Sequence, residues 1–320
     1  MDFDAVLLLS FGGPDGPADV MPFLGNVLRG RPVPPERVEQ VASHYMRFGG
    51  RSPINDQNRA LMDALTEEFA RSGRRRRLYW GNRNWKPYLA DTVAAMRDDG
   101  VERVVVFATS AYSSYSSCRQ YLDDLERARN QVGAGAPTLV KIRPYFDHPG
   151  FVTPLAEGLR RAVAAAPAGS PVLMTAHSIP ESMAASCAYE SQLRTTAGLV
   201  ADAAGVASWQ LVYQSRSGSP AQPWLGPDVL DAIARMPPAT DGVVVTPIGF
   251  VSDHMEVVYD LDTQAAEAAR GRDMVLVRSP TPGTHPAFVR MVGQLIEELE
   301  SGTDRHPHLC HEGCCPAPSR

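Results

Sequence analysis

The chain has 320 residues, 44% of them hydrophobic and 21% charged, and a formal net charge of −5. That is apolar material for a full core at a length that favours two domains over one, and the acidic balance gives no whole-chain footprint for nucleic acid. No stretch approaches the roughly 20 apolar residues of a membrane span and the start lacks a signal peptide's basic segment and cleavage site, so a soluble, cytoplasmic protein is expected.

Asp4-Ala-Val-Leu-Leu-Leu9 is patterned as a buried strand, and Ser10-Phe11-Gly12-Gly13-Pro14 turns at its end before a helical stretch after Gly16. Strand, glycine turn, helix opens a doubly wound α/β unit. Gly-Gly-Pro lacks the spacing of a phosphate-binding fingerprint, and its proline removes an N–H that such a loop would use; close approach of backbone to a flat ligand is an equal reading. The spacing predicts helices over 36–48 and 55–72, broken by Gly49-Gly50-Arg51-Ser52-Pro53. The basic run Arg74–Arg77 then reads as a solvated helix-to-strand junction, with nucleic-acid contact as the lesser alternative. A strand at 78–81, a helix at 88–99 and a strand at 103–108 follow. The next loop, Thr109 to Tyr121, alternates small hydroxyl residues with aromatics, which suits either a large planar ligand or a Ser-rich turn capping the helix of 119–130. Strand 138–143 and the crossing Pro144–Gly150 close the first half.

The pattern then repeats: a helix over 151–166, a strand, a helix over 188–204, strand 209–213, a short helix to 234, strands near 243 and 273–277, and a last helix over 286–299. In Pro171-Val-Leu-Met-Thr-Ala-His177-Ser-Ile-Pro180 a short apolar run delivers a histidine where the strand ends. In open α/β sheets the ligand crevice lies outside the strands' carboxyl ends, so that imidazole has a functional reading beside the plain one of a hydrogen-bonded terminal histidine. A second strand, Gly242-Val-Val-Val-Thr-Pro-Ile-Gly249, runs into Phe250-Val-Ser-Asp-His254-Met-Glu256 and brings a carboxylate to the same edge. Glu256 and Asp260 stand one helical turn apart and are expected on one helix face. Imidazole plus carboxylate with few other ligands suits transient binding of a divalent first-row metal.

Five cysteines occur, Cys118, Cys187 and the tail group Cys310, Cys314 and Cys315. Three thiols so close together in a cytoplasmic chain argue for metal over disulfides, with a zinc site, an iron–sulfur cluster or a merely reactive tail open.

With the aromatic-hydroxyl loop, Thr-Ala-His177-Ser-Ile-Pro, Gln214-Ser, Pro223-Trp-Leu-Gly-Pro-Asp228 and Gly249-Phe-Val-Ser-Asp-His-Met-Glu256-Val-Val-Tyr-Asp260 together, the chain resembles the ferrochelatases, most of all the coproporphyrin ferrochelatases of Gram-positive bacteria, over roughly residues 3–300. The resemblance implies two Rossmann-like domains, 1–150 and 151–285, each a parallel four-stranded sheet flanked by helices, with a tetrapyrrole in the cleft between them; helix 286–300 sits late enough to return to the first domain, and 301–320 is a Cys-rich tail. It implies insertion of Fe2+ into coproporphyrin III by a monomer. The rivals are protoporphyrin IX as substrate, another tetrapyrrole metal chelatase, or a non-catalytic haem-binding module.

By position, His177 and Glu256 match the catalytic metal-site pair, Asp260 an outer metal or proton path, and Ser52, Tyr121, Phe11 and Tyr45 the porphyrin-binding positions. Leu28 and His44 stand where some relatives carry propionate-binding arginines, which shifts that role to Arg29, Arg47, Arg51 or Arg216. Gln264 ends the ladder of acids early. Some members also hold a [2Fe-2S] cluster on a C-terminal extension, which implies Cys310, Cys314 and Cys315 with one internal ligand, Cys118 or, as the alternative, Cys187. The cluster is expected to serve stability or sensing rather than insertion chemistry.

Overall fold

Leu-, Val- and Ala-rich runs without polar alternation build strands covered on both faces, which is the pattern of parallel sheets wrapped by helices. The computed structural model describes residues 2–30, 33–217, 222–303 and 313–317. Its first half contains β1 (Ala5–Ser10), α1 (Pro17–Val27), α2 (Pro35–Arg47), α3 (Ile54–Arg71), β2 (Arg77–Asn82), α4 (Leu89–Asp98), β3 (Arg103–Ala108), α5 (Gln120–Val132) and β4 (Thr138–Lys141). The second half contains α6 (Pro149–Ala165), β5 (Val172–His177), α7 (Glu181–Ala184), α8 (Tyr189–Ala204), β6 (Gln210–Gln214), α9 (Val229–Ala234), β7 (Gly242–Thr246), α10 (Met255–Val257), α11 (Ala266–Arg270), β8 (Val275–Arg278) and α12 (Pro286–Ser301).

Two four-stranded sheets result, β2-β1-β3-β4 and β6-β5-β7-β8, parallel throughout. The second repeats the order of the first. In each, the chain leaves a central strand for one neighbour and then crosses to the other side, so β1/β3 and β5/β7 are topological switch points, where such sheets open a crevice.

Aromatic side chains knit the halves together. Tyr112, beyond β3, sends its phenol to the Ile248 carbonyl at 2.7 Å and lies edge-on to Phe151 and Tyr189. Phe288 of α12 meets Phe107 of β3 and Phe151 of α6 at ring-centre distances of 5.9 and 6.3 Å. Helix α12 packs on both α3 and α6.

The basic run is exposed at Arg74, Arg75 and Arg77, as a solvated junction, and departs from that at Arg76. Arg76 keeps 15% of its side chain exposed, donates to the Phe3 carbonyl and pairs with Glu300 of α12 at 2.8 Å, while Arg74 makes a surface pair with Glu297. A partly buried guanidinium with fixed partners holds a helix terminus more firmly than surface pairs do. The sequence could not show this because the partners lie more than 200 positions away.

At Gly150 a Cβ would lie 2.5 Å from Met291 Cβ and 2.7 Å from the Ala287 carbonyl oxygen. Overpacking of this kind costs about 1–3 kcal/mol. Gly150→Ala is therefore expected to lower unfolding stability by that amount, measured by urea titration, through the contact between α6 and α12; unchanged stability would show that this contact is loose.

Candidate active site

Strand β5 is buried from Val172 to Ala176, and its last residue, His177, emerges at the carboxyl edge with about a third of its side chain exposed. Three bonds fix that residue. Its Nδ1 lies against the Ser178 carbonyl oxygen, its own carbonyl accepts the Tyr189 phenol at 3.0 Å, and the Ser178 amide donates to the Gln214 carbonyl at 2.8 Å. A carbonyl oxygen only accepts, so Nδ1 carries the proton and the neutral ring turns the lone pair of Nε2 outward.

Glu256 reaches that lone pair by a close crossing of backbone. Gly249 lies on β5, its amide donating to the Thr175 carbonyl at 3.0 Å, and a Cβ there would sit 2.7 Å from Ala176 Cα. The loop so seated enters α10, whose first turn His254 caps through Nδ1, accepting from the Glu256 amide at 3.1 Å. Burial holds His254 below its ordinary pKa, against the charge of Glu256, which favours the neutral ring the cap requires. Glu256 Oε2 then stands 3.6 Å from His177 Nε2. That is too long for a hydrogen bond. Two acceptors facing each other, both reachable from solvent, form a place for a cation or a proton.

Asp260 diverges from its expected place beside Glu256 on one face. Val258–Ala265 forms a π-helical stretch, a wider turn often found at functional sites. Asp260 is turned inward, bonded by Ser215 Oγ and by Gln214 Nε2 at 3.4 Å, while that amide also reaches the Glu256 carbonyl at 3.3 Å. Burial, only partly offset by the Ser215 hydrogen bond, raises its pKa to about 6. The neighbouring acids serve elsewhere: Asp253 and Asp262 both grip Arg278.

The opposite wall comes from the first sheet. Phe11, just beyond β1, is 37% exposed and leads by edge contacts through Phe23 (6.3 Å) to Tyr45 (5.8 Å). Burial and then the charge of Glu256 push the Tyr45 phenol far above its ordinary pKa. On the same helix His44 stacks on Tyr259 at 3.7 Å and 12°, joining α2 to the Glu256 helix. Ser52 is buried behind the glycine turn, with Gly13 so close that a Cβ would lie 2.6 Å from Ser52 Cβ. Tyr121 is also buried, with the Arg83 guanidinium 4.5 Å from its ring centre and 6.0 Å from that of Phe11.

Tyr112 and Tyr121 are thus core residues, and Ser114 and Ser117 bond the turn that begins α5. The aromatic-hydroxyl loop therefore caps α5, with Tyr112 and Tyr121 packed inward and Tyr115 at the surface. Of the arginines assigned to carboxylate binding, Arg51 pairs with Asp56, Arg29 with Asn26, Arg216 donates to the Gln222 carbonyl, and Arg47 approaches Glu267 at 3.9 Å and the Tyr259 ring. Sequence reasoning missed Arg83 with its buried partner Asp124, Tyr189 behind His177, and the role of Ser215 under Asp260. Arg83 lies just past β2 as His177 ends β5, and that strand-end position was the signal that could have found it.

For the thiols, Cys310 lies outside the described residues. Cys118 and Cys315 are buried and Cys187 is half-buried. The Cys314 and Cys315 sulfurs stand 3.5 Å apart, with Gly313 and Cys315 both at positive φ (80° and 49°), so the backbone bends sharply there. Burial and then Cys314 raise the Cys315 thiol, with Cys118 and Cys187 as smaller causes. Among the described residues no three His, Cys, Asp or Glu side chains are spaced to hold a metal ion.

The fold, two parallel four-stranded sheets of repeated order, is that of solved chelatases. SirB from Bacillus subtilis with Fe3+ shares the fold at a TM-score of 0.60 and 10% identity, covering 94% of this chain and 99% of that one. CbiX, the terminal enzyme for biosynthesis of siroheme in denitrifying bacteria, does so at a TM-score of 0.53 and 14% identity, covering 92% and 98%. The ferrochelatase family model matches residues 3–300, and the chain belongs to the ferrochelatase family. A ferrochelatase of Rhodopirellula baltica is 51% identical over 327 residues, covering 98% of this chain and 93% of its own. The coproporphyrin III ferrochelatase of Mycobacterium avium is 52% identical over 306, covering 94% and 90%. No described helix is long and apolar enough to cross a membrane.

Asp260 generates a pH-dependent outcome. Its folded pKa of about 6 lies above the ordinary 3.8, so its stabilising share is present below 3.8 and lost as pH rises through about 6. Its ionisation then costs on the order of 2–3 kcal/mol. Asp260→Asn is expected to melt higher than the parent at pH 7, with the gap closing as pH falls from 6 to below 4. A gap independent of pH would show that Asp260 is ionised at no cost.

Proposed function

We propose that this chain inserts Fe2+ into coproporphyrin III in haem biosynthesis, acting as a cytoplasmic monomer on a tetrapyrrole held between domains 1–150 and 151–285. The observation that carries the reading is the outward lone pair of His177 Nε2 facing the Glu256 carboxylate at 3.6 Å. Metallation exchanges two pyrrole protons for one Fe2+. His177 accepts a proton at Nε2, its ring held by the Nδ1 contact with the Ser178 carbonyl, while Glu256 holds Fe2+ through oxygen as its waters are stripped. Asp260, with a pKa of about 6, passes protons outward near neutral pH.

Phe11 and Tyr45 line the macrocycle's path, and Ser52 and Tyr121 support it from beneath the loops that carry it. Four carboxylates on the substrate reward a rim containing Arg29, Arg47, Arg51 and Arg216 more than two would. Relatives named coproporphyrin III ferrochelatase, 50% identical in Mycolicibacterium smegmatis, support the same choice of substrate. The tail cysteines Cys310, Cys314 and Cys315, with Cys118 or Cys187, hold a [2Fe-2S] cluster, an electron-rich group sensitive to oxidants.

His177→Ala is expected to abolish nearly all insertion while porphyrin binding persists, and Glu256→Gln to lose at least a hundredfold, about the worth of one positioned acid–base group. Anaerobic stopped-flow insertion with fluorescence titration of porphyrin separates the two steps. Parent-like turnover in either variant removes that residue from the mechanism, and faster turnover of protoporphyrin IX than of coproporphyrin III overturns the substrate. The cluster is checked by iron and acid-labile sulfide in anaerobically isolated protein, where zinc without sulfide would replace it.

A further inference from the structure

The turn after His177 is gripped from two sides. On one side the Ser178 amide donates to the Gln214 carbonyl at the end of β6, at 2.8 Å. On the other lies the segment Pro223–Asp228, the Pro-Trp-Leu-Gly-Pro-Asp run. It meets the turn antiparallel: Pro180 bridges Trp224, the Leu225 amide donates to the Ile179 carbonyl at 3.0 Å, and the Glu181 amide donates to the Pro223 carbonyl at 3.1 Å. Its far end is tied down as well. The Tyr213 amide of β6 donates to the Pro227 carbonyl at 2.9 Å, and the Asp228 carboxylate accepts from the Leu230 amide at 2.8 Å, which caps α9. The segment is thus a strap anchored on β6 and α9 and laid along the turn that follows His177.

Between the two grips stands the peptide joining Ser178 to Ile179. Among the described residues neither its carbonyl nor its amide has a backbone partner. That carbonyl is the one against His177 Nδ1, so the group that sets the tautomer belongs to a peptide no ladder holds. Its support comes from a side chain: Ser178 Oγ donates to the Leu225 carbonyl of the strap at 2.8 Å. Ser178 and Ile179 are both buried, which keeps water from replacing that bond. The peptide is itself rigid and reorients only through ψ of Ser178 and φ of Ile179. The hydroxyl bond tethers the first of these residues, and the Leu225 amide tethers the second.

We propose that Ser178 is a positioning residue for metal insertion: its hydroxyl, bonded to the strap, keeps its carbonyl on His177 Nδ1 and so keeps the Nε2 lone pair turned toward Glu256. The inference rests on the reading of His177 as the proton acceptor. Buried, Ser178 acts through the ring beside it. Without the hydroxyl the peptide is free to turn, its carbonyl leaves Nδ1, and the neutral ring passes to the tautomer with its hydrogen on Nε2, which the Glu256 carboxylate opposite attracts. That hydrogen takes up the lone pair that would receive a pyrrole proton.

The test uses the full chain labelled with carbon-13 and nitrogen-15 in histidine, as parent, Ser178→Ala and Ser186→Ala, with His177→Ala serving to assign the His177 signals among the eight histidines. Ser186 Oγ donates to the Met183 carbonyl at 2.9 Å, a bond of the same kind within α7 and the turn after it. Ring nitrogen shifts at pH 8, above the ordinary imidazole pKa of about 6.5, report which nitrogen carries the hydrogen and are read without porphyrin or iron. Values of kcat and KM for coproporphyrin III with Fe2+ are measured anaerobically at the same pH. The parent is expected to carry the hydrogen on Nδ1. Ser178→Ala is expected to show a population with the hydrogen on Nε2 and a kcat lowered by about two- to tenfold, the effect of one neutral hydrogen bond, with KM for porphyrin unchanged, while Ser186→Ala matches the parent in both. A parent with its hydrogen on Nε2 overturns the role of the carbonyl. A parent-like tautomer in Ser178→Ala overturns the role of the hydroxyl whatever the kcat, and an equal change in Ser186→Ala overturns the route through the strap. A parent that inserts no iron overturns the proposed reaction alone, because the tautomers are read without substrate.

Discussion

The Ser178 carbonyl is the acceptor on which the site depends. By taking the Nδ1 proton of His177 it leaves Nε2 as a lone pair, and a lone pair opposite a carboxylate favours positive charge between them. A donor in place of that carbonyl would reverse the tautomer and turn an N–H toward Glu256. The pair would then be a closed hydrogen bond, with nothing left for a metal or a pyrrole proton. Strand geometry supplies the carbonyl: β5 runs buried to its last residue, and the backbone beyond is held by the β6 edge through the Gln214 carbonyl. The acceptor is therefore part of the sheet and not of a mobile loop.

Repetition of strand order places this edge usefully. Each sheet has its switch point beside its first strand, so β1 with Phe11 and β5 with His177 occupy equivalent positions in the two halves. The first sheet contributes a ring and the second an imidazole. Gly249 makes the second arrangement possible because only a residue without Cβ lets the loop after β7 lie on Ala176 and carry Glu256 across. Phe11, Phe23 and Tyr45 then form a continuous aromatic row leading out from the first sheet.

What was legible in the sequence follows the range of the interactions. Strands such as β3 and β7 could be placed closely because unbroken apolar runs have local causes, and His177 and Glu256 stood out because each lies just past such a run. Arg83 did not, since its meaning comes from Asp124 on a different helix and from two rings brought beneath it by folding. For the loop of tyrosines and serines, composition cannot say whether a ring faces a ligand or the core, and Tyr112 faces the core because Phe151 and Tyr189 arrive there. Asp260 was placed on the right helix, but the π-helical turn between it and Glu256 has no sequence signature, and it changes which way the carboxylate points.

The distribution of acids along that helix is a division of cost. Asp253 and Asp262 are neutralised by Arg278, which keeps two charges near the site from repelling Glu256. Asp260 is bonded by Ser215 and Gln214, in a place where burial outweighs these donors and the charge of His177. A guanidinium there would stabilise the fold and fix the carboxylate as an anion at every working pH. With burial prevailing, the group stays within reach of protonation near neutrality. The destabilisation and the availability to protons arise from the same burial, so a substitution that removes the first removes the second.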